Sequence, residues 1–327
     1  MHTLLIVMTI AMAVGMGWSI GANDAANSLG TAVGAKVITL RQAIVLIAVF
    51  GFLGAVLQGE YVAKTLGKGI VDMTVLPADV ATRVALVATL ASGLWVALAT
   101  RWRMPVSTSH AIVGAVGGCG LALHADLNWR VLGGIFVCWV LTPAGAAFIG
   151  WGLFRLLEAV LPRIVPARYM RHTLTALIVI SGCYVAFSWG ANDVANATGV
   201  LQGANVLPGK WAVTIGGAAI VLGIVTYGHR VMEMVGCGIA QLTPLMAFAV
   251  QLASAVNVHA YTLLGIPVST SHSIVGAIFG VGLVKGVRVV NLRIMREIVT
   301  CWVATPFVSG VFSLCILRLW MWLSPVN

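Results

Sequence analysis

Apolar residues run along this chain in long blocks. Hydrophobic segments fall near 2–28, 40–68, 80–101, 105–124 and 128–158, and a second set follows near 172–198, 209–236, 240–264, 267–285 and 292–323. A bilayer core needs about 20 apolar residues per helix, and most of these blocks reach that length. Several are long enough to tilt or break, and Pro143 and Pro306 sit inside two of them. The pattern predicts an all-α, polytopic transmembrane protein of ten to twelve helices, some of them broken or re-entrant.

The two sets are copies. Gly21 to Gly34 (GANDAANSLGTAVG) aligns with Gly190 to Gly203 (GANDVANATGVLQG) at an offset of 169. Pro105 to Ala115 (PVSTSHAIVGA) aligns with Pro267 to Ala277 (PVSTSHSIVGA) at an offset of 162. Cys138-Trp139 and Thr142-Pro143 recur as Cys301-Trp302 and Thr305-Pro306. The chain is an internal duplication, expected as a first repeat over 1–158, a short basic cytoplasmic linker over 159–171, and a second repeat over 172–327.

Each half holds an odd number of spans, so the second copy should be inverted in the membrane. Numbering the sides alternately, thirteen Lys and Arg residues fall on one side, among them Arg41, Arg163, Arg168 and Arg171. Six fall on the other: Lys64, Lys68, Arg83, Arg130, Lys210 and Arg318. The positive-inside rule then puts both termini outside the cytoplasm, in the cytoplasmic (inner) membrane. Inverted repeats are the architecture of secondary transporters, which bind substrate at the repeat interface.

Composition agrees. Residues are 60% apolar and 9% charged, mean hydropathy is +1.01, and a soluble domain needs about a quarter charged. The net charge of +10 is spread thinly between apolar runs, which fits membrane anchors and excludes a nucleic-acid groove. The six cysteines (119, 138, 183, 237, 301 and 315) lie in apolar stretches without a C-x-x-C pair, so buried free thiols are expected rather than zinc ligands or disulfides. Residues 3–20 lack a cationic leader and are expected to stay as a first helix.

Polar residues inside these spans carry the chemistry. Asn23, Asp24 and Asn27, with their copies Asn192, Asp193 and Asn196, bring hard carbonyl and carboxylate oxygens into lipid, where an acid is costly. A cation path is the functional reading; a helix cap or an interhelical bond is the alternative. Ser107, Thr108 and Ser109 follow Pro105 and are repeated as Ser269, Thr270 and Ser271 after Pro267. Proline favours a helix start, and hydroxyls beside the unpaired N–H groups of a first turn make an anion site. Ordinary Ser/Thr capping is the competing reading. His110 and His272 close these motifs and could bond the anion, shuttle a proton, or simply pack against a backbone carbonyl. Gln58, Glu233 and Gln251 are weaker candidates for the cation path. Lys64 and Glu233 are equivalent under the repeat, and Lys64 is expected to snorkel to its interface.

Paired GAND-x-AN and PVSTSH strings, one set per half, resemble the inorganic phosphate transporter (PiT) family, which also contains sulfate permeases. The resemblance covers nearly the whole chain. It implies inverted repeats, a homodimer and sodium- or proton-coupled phosphate uptake without a resident cofactor. Asn23, Asp24, Asn192 and Asp193 are then similar to the cation-binding positions, possible sites for Na⁺, and the six hydroxyl residues to the anion-binding turns. Two departures stand out: Lys64 where members often carry Glu, and Ser-Thr-Ser-His for Ser-Thr-Thr-His. The Asn-Asp pair survives in both copies, which favours phosphate over sulfate. Cation-coupled phosphate symport is therefore the expected function. A sulfate or thiosulfate permease is the nearest alternative and an anion channel a more distant one. No enzyme chemistry is expected, because Ser109-His110 adjacency does not set a hydroxyl against an imidazole as a nucleophile requires.

Overall fold

The computed structural model describes residues 2–34, 37–102, 106–228, 242–286 and 292–324. Among them the regular structure is helical. In chain order the helices are α1 (His2–Asp24), α2 (Ala26–Gly34), α3 (Leu40–Lys64), α4 (Ala78–Arg101), α5 (Thr108–Ala122) and α6 (Trp129–Ile164). Then come α7 (Ala167–Gly203), α8 (Gly209–Gly223), α9 (Pro244–Leu263), α10 (Thr270–Lys285) and α11 (Leu292–Leu323). Seven helical stretches among the described residues are long and apolar enough to cross a bilayer. The protein is thus all-α and polytopic, as the hydrophobic blocks predict.

The local reasons are visible at the helix ends. Thr39 starts α3 with a capping box, its hydroxyl accepting from the Gln42 amide while Gln42 accepts from the Thr39 amide, so two orphan donors are satisfied at once. Asn128 caps α6 through the Val131 amide, and Thr243 caps α9 ahead of Pro244. Helix α5 has only 15 residues, about 22 Å of rise, too little to cross alone. With α4, and likewise α10 with α9, it forms a helical hairpin whose connection carries a PVSTSH string. Most of the expected 159–171 linker is helical: α6 runs to Ile164 and α7 starts at Ala167.

Packing runs between the two sequence halves. Helix α3 lies along α7, α1 against α8, α5 against α11, and α10 against α6. Close approach requires small residues; a Cβ on Gly190 would fall on the Gly51 carbonyl. The outward faces are apolar, with Leu57, Val140, Phe148 and Phe307 exposed. Such a surface would aggregate in water; against lipid it is the expected solvent-facing side. The described cysteines are all free. Cys119, Cys183 and Cys301 are buried and Cys138 partly so, but Cys315 is exposed, a correction to the expectation of burial: its position on α11 faces outward. Cys237, with Pro105, His229, Arg230, Glu233 and Gln241, lies outside the described residues.

Candidate functional site

The two GAND-x-AN strings fold differently. In the first, α1 ends at Asp24, Ala25 is a turn, and α2 restarts at Ala26. In the second, α7 passes through Asn192, Asp193 and Asn196 without a break and continues to Gly203. Asp193 therefore does not end a helix. It is held mid-span, 1% exposed, with Asn192 and Asn196 fully buried and Asp24 4% exposed.

The two PVSTSH strings meet each other. Ser109 Oγ donates to the Val268 carbonyl at 2.9 Å, and the His110 and His272 rings contact edge to face with centroids 4.5 Å apart. The asparagines then cross between the copies. Asn196 of the second copy donates to Thr108 Oγ1 at 3.2 Å and Ser109 Oγ at 3.0 Å in the first hairpin. Asn27 of the first copy donates to Ser271 Oγ at 3.2 Å in the second hairpin. Asn192 grips that second hairpin by its backbone, donating to the Ile266 carbonyl and accepting from the Val268 amide, both at 3.2 Å. Thr270 Oγ1 donates to Asp193 Oδ2 at 3.3 Å. Asn23 lies beside Asp24, its amide 3.5 Å from Oδ1.

Ser107 and Ser269 are the N-caps of α5 and α10, accepting from the His110 and His272 amides at 3.2 and 3.3 Å. For these two serines the geometry is that of a cap, although each hydroxyl proton stays available to donate. The histidines pack against carbonyls: His110 Nδ1 lies 3.0 Å from the Trp302 carbonyl and His272 Nδ1 3.3 Å from the Trp139 carbonyl. Those carbonyls are free for a reason. Pro306 and Pro143 stand four residues further along their helices and have no N–H to bond them. Each imidazole also stacks on a tryptophan, His110 on Trp139 at 3.7 Å and His272 on Trp302 at 3.5 Å. The result is a chain of four rings, stacked at both ends and edge to face between the central histidines. A carbonyl only accepts, so Nδ1 carries the proton and Nε2 is left as a buried acceptor in both rings.

Gln251 joins the site's frame, donating to the Ser28 carbonyl at 3.0 Å and accepting from Ser181 at 2.7 Å. Gln58 does not reach the hairpins. It accepts from His259 Nε2 at 2.8 Å, and His259 Nδ1 takes the Tyr184 hydroxyl at 2.7 Å, a polar chain across α3, α9 and α7 that the sequence does not announce. Also unannounced are Ser188, Trp189 and Ser254, which with Asn27 and Thr270 line a cavity of about 10 Å³, room for about one water-sized atom.

On α7, Asp193 Oδ1 and Asn196 Oδ1 accept no close hydrogen bond, although the Trp189 indole one turn earlier interacts with the Asp193 carboxylate. Carboxylate and carbonyl oxygens one turn apart on a helix suit a hard cation. Among the described residues no three His, Cys, Asp or Glu side chains cluster as a metal site.

These features define a class: a multi-pass membrane transporter with a polar centre between interrupted helices. The sequence signature of the phosphate transporter family matches residues 20–313, and the chain belongs to that family. A Pyrococcus abyssi protein named "putative phosphate permease" is 31% identical, over 97% of this chain and 98% of that one. A Chlamydia pneumoniae protein of the same description is 30% identical, over 95% and 97%. A solved structure named "the sodium-dependent phosphate transporter" superposes with a TM-score of 0.89 at 30% identity, covering 99% of this chain and all of that one.

Proposed function

We propose that this chain carries inorganic phosphate by symport with sodium, using two inverted repeats, in the cytoplasmic membrane and as a homodimer. The observation that carries the reading is the crossed network at the centre. Each hairpin start presents first-turn hydroxyls to an asparagine of the opposite copy, and two hard oxygens of α7 stand beside them without a close hydrogen bond. Helix N-termini supply backbone donors and positive potential for a tetrahedral anion, and Thr108, Ser109, Thr270 and Ser271 add hydroxyls. When ionised, Asp24 and Asp193 would each repel a dianion in a medium of low dielectric. A cation held by Asp193 and Asn196, with Asp24 nearby, removes that repulsion, so each ligand strengthens binding of the other. The sodium-dependent structural relative supports sodium over protons. Because Ser109 touches the Val268 backbone, the hairpins must part for the anion to bind. That movement is the gate.

The test is uptake of radiolabelled phosphate into proteoliposomes with and without a sodium gradient, with sulfate as competitor from pH 6 to 8. Asp193→Asn and Asp24→Asn should cut sodium-driven uptake at least about tenfold while eluting as folded protein. Unchanged sodium dependence in both variants would remove the carboxylates from coupling, and sulfate uptake matching phosphate would favour the sulfate permease.

A further inference from the structure

We propose that the open cavity where α3 and α7 end is a recruitment subsite that captures hydrogen phosphate before it reaches the hairpins; this rests on the phosphate-transport reading above. The cavity measures about 400 Å³ and is lined by Lys64, Thr65, Lys68, Gly69 and Gln202. Helix α3 does not stop at Lys64 but widens into a π-helical turn over Thr65–Gly69. Both flanking lysines thereby border one space. Glu60 and Asp72 do not line it, although the Glu60 carboxylate stands next to Gln202 beside Gly209. Asp72 stays ionised: hydrogen bonds from the Thr74 hydroxyl and amide, and then the charge of Lys68, hold it below the usual carboxylate range. It therefore offsets part of the Lys68 charge.

The cavity adjoins the transport centre along two lines. Thr65 Oγ1 donates to the Gly265 carbonyl at 2.6 Å, and the chain from Gly265 leads directly to Ser269, the cap of the second hairpin. Gln202 stands on α7 six residues beyond Asn196, about 9 Å along the axis. An anion resting between Lys64, Lys68 and Gln202 thus lies beside two connections to the hairpins, Gly265 leading to the second and Asn196 bonding the first. Positive groups at the mouth of a low-dielectric site focus the field and raise the capture rate of an anion.

A tetrahedral oxyanion in this space offers its anionic oxygens to the two ammonium groups, with the Gln202 side chain bordering the same space. Lys64, which reads from the sequence as a snorkelling anchor, becomes half of an anion trap.

Proteoliposomes carrying wild type, Lys64→Gln, Lys68→Gln and the double variant would be assayed for phosphate KM and kcat at low and high ionic strength, with Arg318→Gln as a charge control outside the cavity. The double variant should raise KM about three- to tenfold with kcat within about twofold, and its KM should lose the ionic-strength dependence of wild type. Lys64→Arg/Lys68→Arg should keep the wild-type KM, which separates charge from folding. A wild-type KM in the double variant, or an equal rise in Arg318→Gln, overturns the subsite while leaving transport intact. Absence of phosphate uptake by wild type overturns the transport reading and the subsite with it.

Discussion

At the residue scale, the six hydroxyl side chains of the hairpins divide by what they already hold. Ser107 and Ser269 cap helices, whereas Ser109 bridges the two hairpins and accepts from Asn196. Ser107→Ala should cost about 1 kcal/mol of stability through the lost cap, and Ser107→Gly only a few tenths. Phosphate uptake should follow that order, tracking stability in thermal unfolding. Ser109→Ala should cut uptake at least about tenfold whatever its stability, because its hydroxyl is one of those offered to the anion once the hairpins part. If Ser107→Ala and Ser107→Gly abolish uptake equally, Ser107 is a direct anion contact and not a cap alone. Asn196→Ala removes the donor to two buried hydroxyls, of which Ser109 keeps its bond to Val268, and should cost about 1–3 kcal/mol by the same unfolding measurement; a neutral result would mean that Thr108 finds another partner.

At the element scale, the Thr-Pro pairs explain the histidines. Pro306 frees the Trp302 carbonyl for His110, and Pro143 frees the Trp139 carbonyl for His272. Each hairpin is clasped by a long helix of the other half. The same contact forbids a side chain at Gly114, whose Cβ would fall on the Pro306 carbonyl, and at Gly276 against Pro143. Pro306→Ala returns an N–H to compete for the carbonyl, so uptake should fall while thermal stability holds or rises; a joint fall would make the proline mere filler. Gly114→Ala should destabilise by about 1–3 kcal/mol. Much of this was legible beforehand: long apolar blocks name the helices, and duplicated polar strings name the centre. The crossing of partners was not, because a repeat says which residues are equivalent and not which ones meet. Single-copy participants were also hidden. His259 and Trp189 have Ala97 and Ile20 at their equivalent positions, so no duplication marks them. Nor does the GAND string say that it breaks after Asp24 yet stays helical through Asp193; the surrounding packing decides that.

At the scale of the whole molecule, the proposed mechanism needs the halves to be inverted, since only then do two like hairpins approach one centre from opposite faces. Arg41 and Lys210 make this testable. They are equivalent at the offset of 169, each is the second residue of its helix, α3 or α8, and both are exposed. A parallel duplication places them on the same side of the membrane, an inverted one on opposite sides. The charge bias assigns Arg41 to the cytoplasmic face and Lys210 to the other. With the six native cysteines replaced, Arg41→Cys should react with a membrane-impermeant maleimide only in inside-out vesicles, and Lys210→Cys only in right-side-out vesicles. Labelling of both from one side would make the duplication parallel. The crossed bonds of Asn27 and Asn196 would then need another explanation than a two-fold axis in the membrane plane, and alternating access by exchange of equivalent halves would no longer follow from the architecture.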